Sequence, residues 1–498
     1  MKGNIQVGKV SFPDKGETLI FFIFSGDLKK NLQIKLLDNK TNGLLNKKIS
    51  LHKFEGKEEQ MLNINPVNFY EQIIIVGAGK STEFTLNKFK NLLASALRTL
   101  QKTKTISVNL FYFDRLGKDY FEIGKNLSLG FCLTNYEFSR FKSNKKNLQH
   151  QIKTLNFYID NQPIKQTQAG IEFGRLIAEG IYLTRDLVNE PASHQHPDSL
   201  VKIANEIAKD SKGKIAVEVL NKQDCQKLGM GAFLGVAQGS DREPKFIILK
   251  YNGSSKSKKI CLIGKTLIFD SGGLSLKPSS SMEIMKIDMA GGAIILGVFK
   301  ILSKLDVKAS VTGILPVCEN MPSGHAIRPG DVVTALDGQT IEVLNTDSEG
   351  RLTLADALAY TEKYLGPEVI IDLATLTGAC MVALGKEITG LFGNNKQLIN
   401  DFEKISQKEG DQLWPMPIYH PYLKKMKSEI ADWKNTSGTS WGEAISAALF
   451  LKEFVKKTKW LHLDIAGSAY SDEIKGVIAK GGTGWGVVSL IEFIKKFS

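Results

Sequence analysis

Four carboxylates gathered in two short stretches constrain this chain more than any other feature of it. The first stretch reads Gly264-Lys265-Thr266-Leu267-Ile268-Phe269-Asp270-Ser271-Gly272-Gly273-Leu274-Ser275-Leu276-Lys277, followed by Met285-Lys286-Ile287-Asp288. The second reads Asn345-Thr346-Asp347-Ser348-Glu349-Gly350-Arg351-Leu352. Asp288 lies in Ser281–Leu305, a segment apolar nearly all round beyond Lys286 that reads as a buried helix. A lone ionised carboxylate there is costly, so it must be paired, protonated or metal-bound, and taken alone an ion pair serves as well as a ligand. Asp270 follows the strand-like Leu267–Phe269. Asp347 and Glu349 follow the strand-like Thr340–Leu344 and precede a helix from about Arg351 to Tyr364. Functional side chains of α/β sheets collect beyond the carboxyl ends of strands, so two strand ends and one helix can deliver all four carboxylates to one crevice. At that range they repel unless a cation compensates them. Hard oxygen donors without cysteine or histidine point to divalent metal, and two ions fit best.

A chain of 498 residues exceeds one ordinary core, which implies two or more domains. Its 42% hydrophobic and 23% charged residues describe a soluble globular protein with a large core. No apolar run reaches the roughly 18 residues a membrane span needs, and the short patch Leu19–Phe24 reads as a strand, not a signal sequence. The five cysteines (Cys132, Cys225, Cys261, Cys318, Cys380) show no CxxC spacing. Buried thiols in a reducing, cytoplasmic setting are the expectation. Residues 1–160 hold 25 Lys and Arg against 14 Asp and Glu, so most of the net +13 lies there. A third this basic could touch nucleic acid; the blander account is a lysine-rich solvated surface, since no arginine cluster or aromatic interleaving marks a binding face.

In chain order, residues 1–160 alternate strands (Thr18–Phe24, Gln72–Val76, Thr105–Phe113) with a helix at Thr85–Thr103, and form a small basic α/β domain. Val76-Gly77-Ala78-Gly79-Lys80-Ser81 looks like a phosphate loop, but Ile74 stands where its first glycine belongs, and Thr82 breaks the dinucleotide pattern. It reads as a strand-to-helix turn. Polar Lys142–Asn161 reads as a linker. Residues 161–498 then form the larger α/β domain, a mixed sheet flanked by helices.

At this point the octapeptide Asn345–Leu352 resembles the signature of the leucyl (cytosol) aminopeptidases, in which Ser348 is usually alanine. Gly264–Lys277 resembles that family's other metal-binding segment, with Thr266 in place of a glycine. Asn189-Glu190-Pro191, Thr375-Leu376-Thr377-Gly378, Asp464-Ile465-Ala466-Gly467 and Gly482-Thr483-Gly484 follow in the family's order, whereas the likeness is weak over residues 1–160. The resemblance implies two divalent ions (Zn²⁺ or Mn²⁺) that activate a water to attack the first peptide bond of substrates with a free N-terminus. Lys265, Asp270, Asp288 and Glu349 would hold one ion; Asp270, Asp347 and Glu349 the other, with Asp347 also lending its carbonyl. Lys265 can ligate only as a neutral amine, and without the family a salt bridge would be the preferred reading for it. The resemblance further implies that Lys277 stabilises the oxyanion, that Arg351 holds a bicarbonate ion, and that Met285, Asn345, Thr375, Leu376, Gly378 and Ala466 bind substrate. Leucine and other apolar N-terminal residues would be favoured, with Ala469 leaving the preference open. The resemblance makes residues 1–160 a macro-like N-terminal domain and residues 161–498 the catalytic domain, and implies a homohexamer of stacked trimers, with no membrane partner.

Two rivals stand beside this reading. Gly438-Thr439-Ser440-Trp441-Gly442 fits the GxSxG elbow of serine hydrolases, but Ala431–Thr436 is polar where an elbow needs a buried strand. The other is a nucleic-acid-binding role for the basic N-terminal third. The seven histidines pair at no ligand spacing.

Overall fold

The computed structural model describes residues 3–9, 18–28, 31–65, 71–100, 107–111, 116–144, 152–159, 163–254 and 258–497. Its contacts divide the chain into two compact units, Met1–Ala178 with Glu473–Ala479 and Glu179–Asp472 with Lys480–Ser498. The division falls within the long helix Ile164–Asn189.

The first unit is built on β1 (Asn4–Lys9), β2 (Thr18–Ile23), β3 (Met61–Ile64), β4 (Gln72–Gly77), β5 (Ser107–Phe111) and β6 (Thr154–Ile159). They form one sheet in the order β1-β6-β5-β2-β4-β3, parallel throughout except for β3 against β4. β2 and β4 are buried along their whole length, which is why they read as unbroken apolar runs rather than alternating ones. The expected linker Lys142–Asn161 is corrected here: it supplies β6, seated between β1 and β5. Leu155, Phe157 and Ile159 point inward in alternation, a pattern that the surrounding lysines and asparagines mask. The rest of that stretch, 145–151 and 160–161, and the ends of the expected strand 105–113 lie outside the described residues. The phosphate-loop look-alike is a turn, as expected. A Cβ at Gly77 would stand 1.9 Å from the Lys57 carbonyl oxygen, so main chain packs closely against this strand end.

In the second unit β7 (Ile215–Leu220), β8 (Lys245–Tyr251), β9 (Lys259–Gly264), β10 (Thr266–Asp270), β11 (Ser310–Asn320), β14 (Val369–Ala374), β15 (Thr389–Gly393), β16 (Leu413–Pro415) and β18 (Lys459–Asp464) make a nine-stranded mixed sheet. Its order is β16-β15-β18-β14-β9-β11-β8-β7, with β10 on β11. The central strands β18, β14, β9 and β11 run parallel, so their carboxyl ends open on one side. A separate three-stranded sheet joins β12 (Asp331–Thr334), β13 (Thr340–Val343) and β17 (Trp433–Lys434).

A change of strand partner and one departure from the sequence reading set up the site. β9 and β10 are one run of sequence broken at Lys265: β9 lies between β14 and β11, whereas β10 slides outward to pair with β11 alone. Nor is Ser281–Leu305 a single helix. A 3-10 turn, Met285–Met289, precedes the α-helix Ala290–Leu302. The helix starts late because its first turn abuts strand ends: a Cβ at Gly291 would lie 2.2 Å from the Leu373 carbonyl oxygen, and the Gly292 N–H donates to the Lys265 carbonyl. Asp288 therefore sits in the turn before the helix, not along its flank. Among the described residues no helix is long and apolar enough to cross a membrane.

Candidate active site

β10 ends at Asp270, and Gly272 (φ 85°) and Gly273 (φ 63°) turn the chain through the left-handed region. That turn lets the Gly272 N–H (2.9 Å) and the Asn320 side-chain amide (2.8 Å) donate to Asp270 Oδ1, while Lys277 Nζ lies 2.8 Å from Oδ2. Asp288 Oδ1 accepts from the Thr375 hydroxyl at 2.7 Å and lies 2.9 Å from Lys265 Nζ. Glu349 caps the helix Gly350–Tyr360 and brings Oε1 to 2.7 Å from the same ammonium. Gly350 is required beside it, because a Cβ there would meet Lys265 Cε at 2.5 Å. Asp347 joins through Lys277, whose Nζ is 2.5 Å from its Oδ1. One carboxylate oxygen from each of Asp270, Asp288 and Glu349 lies within 4.8 Å of the others, in full burial.

Four carboxylates thus share two ammonium groups. Burial raises the Asp288 carboxyl well above its ordinary range; Lys265 opposes the shift, and the charges of Glu349 and Asp270 add to it. Burial and repulsion from Asp270 raise Glu349 in the same way, and burial raises Asp347 against its bond from Lys277. Burial alone would pull both lysines down, but the surrounding carboxylates outweigh it and hold Lys265 and Lys277 above the ordinary lysine value. Asp288 Oδ2 is buried without a hydrogen-bond partner among the described residues. An excess of buried negative charge, hard oxygen donors and one orphaned carboxylate oxygen together fit divalent cations.

Arg351 stands beside this cluster. It is 2% exposed, donates from Nη1 to the Asn435 carbonyl at 2.8 Å and lies 3.5 Å from Glu443. Burial lowers its pKa, against the charges of Glu443 and Glu349. Of the expected substrate residues, Thr375, Leu376 and Gly378 follow the carboxyl end of β14 and Ala466 follows that of β18. Asp464 accepts from the N–H groups of Leu376 (3.2 Å) and Ala466 (3.2 Å), tying the two segments side by side. Thr375 lies against Asp288, and Gly378 is exposed with open space where a Cβ would point. Met285 is half-buried in the turn that carries Asp288, and the Asn345 side chain accepts from the Asp347 N–H at 2.9 Å. Sequence reasoning passed over Asn320 and Thr346. Asn320 also donates to the Thr346 carbonyl (3.0 Å), and Thr346 Oγ1 accepts from the Ser275 N–H (2.8 Å), so both sew the Asp270 loop to the Asp347 loop. An asparagine closing an apolar strand looks like ordinary turn chemistry.

Ser440 lies exposed in a loop, preceded by only the two-residue β17, so no strand-to-helix elbow presents it.

Residues 182–491 match the catalytic domain of the cytosol aminopeptidase family, and residues 20–145 match that family's N-terminal domain. The chain belongs to the cytosol aminopeptidase family. A probable cytosol aminopeptidase of Nostoc punctiforme is 42% identical over 484 residues, 96% of each chain, and one of Alkaliphilus metalliredigens is 39% identical over 92% of each. Among solved structures, a tomato leucine aminopeptidase mutant superposes with a TM-score of 0.91 at 35% identity, covering 99% of this chain and 97% of that one. The bottromycin maturation enzyme BotP in complex with Mn gives 0.84 at 28% identity, covering 97% and 99%. The protein is accordingly a metal-dependent aminopeptidase of two α/β domains. The N-terminal unit belongs to the family pattern too, although its motifs hardly show it.

Proposed function

We propose that this cytosol aminopeptidase is a two-metal exopeptidase of leucyl type, releasing leucine and other apolar residues from peptide N-termini. The observation that carries the reading is the convergence of Asp270, Asp288, Asp347 and Glu349 on two lysines, with Asp288 Oδ2 left over. Lys265, Asp270, Asp288, Asp347 and Glu349 would hold the ions. Bound there, divalent ions polarise a peptide carbonyl and acidify water. Lys265 now bridges Asp288 and Glu349 as an ammonium; to serve as a ligand it must give up that proton as the cations enter.

The rest is done by the chain itself. Lys277 keeps its charge at neutral pH, since two carboxylates hold it, and at 13% side-chain exposure it can reach into the crevice to stabilise an oxyanion. Arg351, always charged, offers a buried guanidinium on which a bicarbonate could sit as a proton carrier. The Asp464 bonds keep Leu376 and Ala466 at the crevice wall, and the space beside Gly378 admits a side chain of the substrate. Zinc or manganese, a cytoplasmic site and a homohexamer belong to the same reading by family likeness. The experiment is hydrolysis of a panel of aminoacyl amides by metal-stripped protein reloaded with Zn²⁺, Mn²⁺ or Mg²⁺. Leucyl and other apolar amides should be cleaved in the reloaded protein only. Equal activity before and after reloading would overturn the proposal.

A further inference from the structure

We infer that Asn435 is a positioning residue that locks the Asn345–Glu349 loop and Arg351 into one rigid frame. It sits just beyond β17, far in sequence from every candidate ligand, and is fully buried at 0% exposure. All four of its hydrogen-bonding groups go to the segment 342–351. Its N–H donates to the Glu342 carbonyl (3.0 Å), continuing the parallel pairing of β13 with β17. Where that pairing ends, the side chain takes over. Oδ1 accepts from the N–H groups of Leu344 (2.9 Å) and Asn345 (3.2 Å), and Nδ2 donates to the carbonyls of Asn345 (2.6 Å) and Ser348 (3.4 Å). Its own carbonyl accepts from Arg351 Nη1 at 2.8 Å.

Only an amide fits this place. Two acceptor contacts and two donor contacts are needed on one short, planar group; aspartate supplies no donor, and leucine supplies neither. The consequence is mechanical. The loop has no regular structure between β13 and the helix at Gly350, so the positions of Asp347 and Glu349 depend on what pins Asn345 and Ser348. The same residue fixes the carbonyl that holds Arg351, so the loop and the guanidinium move together or not at all. Asn435 touches neither substrate nor the reacting atoms. It acts through Asp347, Glu349 and Arg351.

This inference rests on the two-metal reading above. The test compares native protein with Asn435→Ala and, as the isosteric control that keeps the volume, Asn435→Asp. Chelator competition with Mn²⁺ alone reads metal affinity, and kcat and KM are then read at saturating Mn²⁺. Removal of an outer-shell partner is expected to weaken Mn²⁺ binding about 10- to 100-fold and to lower kcat by a similar factor with KM little changed. Arg351→Ala should cost less in the Asn435→Ala background than in the native one, because the frame is already loose. Native affinity and native kcat in a folded variant of either kind would overturn the inference, as would strictly additive losses with Arg351→Ala. Native protein that binds no Mn²⁺ would instead remove the two-metal reading beneath it.

Discussion

Replacing Asp288 by asparagine should have opposite effects on stability with and without metal. The carboxylate lies within 4.8 Å of partners on Asp270 and Glu349, so at an effective dielectric near 20 each repels it by at least about 3.5 kcal/mol. Lys265 at 2.9 Å returns about 6 kcal/mol in the same medium. The balance runs against the charge by about 1 kcal/mol, before the further penalty for burying it at 3% exposure. The substituted amide keeps an acceptor for the Thr375 hydroxyl and turns its NH₂ group towards the carboxylates. Metal-stripped Asp288→Asn should therefore be more stable than native by roughly 1–3 kcal/mol. Metal reverses the order, since binding adds about 4 kcal/mol to the native fold for an ion at a thousand times its Kd, and the variant has lost a ligand. The assay is urea unfolding followed by tryptophan fluorescence, with chelator and with saturating Mn²⁺. A variant less stable than native in both conditions would show that Asp288 is one half of a structural ion pair.

Lys277→Met should lower kcat about 100- to 1000-fold while the stoichiometry of bound metal is unchanged, which equilibrium dialysis with Mn²⁺ checks. Ser440→Ala should retain native turnover and native loss of activity under chelation; inactivity would revive the serine-hydrolase alternative. Asp356, on the buried helix Gly350–Tyr360, accepts from the N–H groups of Phe233 (2.8 Å) and Leu336 (2.7 Å), yet burial pushes its pKa up to about 7. A carboxyl whose folded pKa is raised contributes most below its unfolded value of 3.8 and loses that contribution as pH rises through about 7. The stability of native protein relative to Asp356→Asn should thus fall by roughly 2–3 kcal/mol between about pH 5 and 8. A flat difference would refute the assignment.

Much of the site could be read from the sequence because its chemistry is local. Asp270-Ser271-Gly272-Gly273 carries its carboxylate and its turn glycines, and Asn345–Leu352 its two carboxylates and a helix start, within a few residues. What escaped was relational. Asn435 and Asn320 matter through what they hydrogen-bond 90 and 50 residues away, and nothing in their neighbours marks that. Fold boundaries failed for physical reasons of the same kind. β6 is apolar on one face only and sits among lysines, so composition outweighed its period of two. The expected Ser281–Leu305 helix is split because Gly291 and Gly292 must pass close to strand ends, a demand of tertiary packing that propensity does not carry.

The central claim is that buried acid here is held together by cations. Anomalous diffraction from crystals of the Mn²⁺-loaded protein tests it most directly. Two peaks per chain are expected, bounded by Asp270, Asp288, Asp347 and Glu349, with Lys265 turned from its ion pairs towards one of them. A clean map in metal-saturated crystals, with both lysines still bridging the carboxylates, would contradict the account.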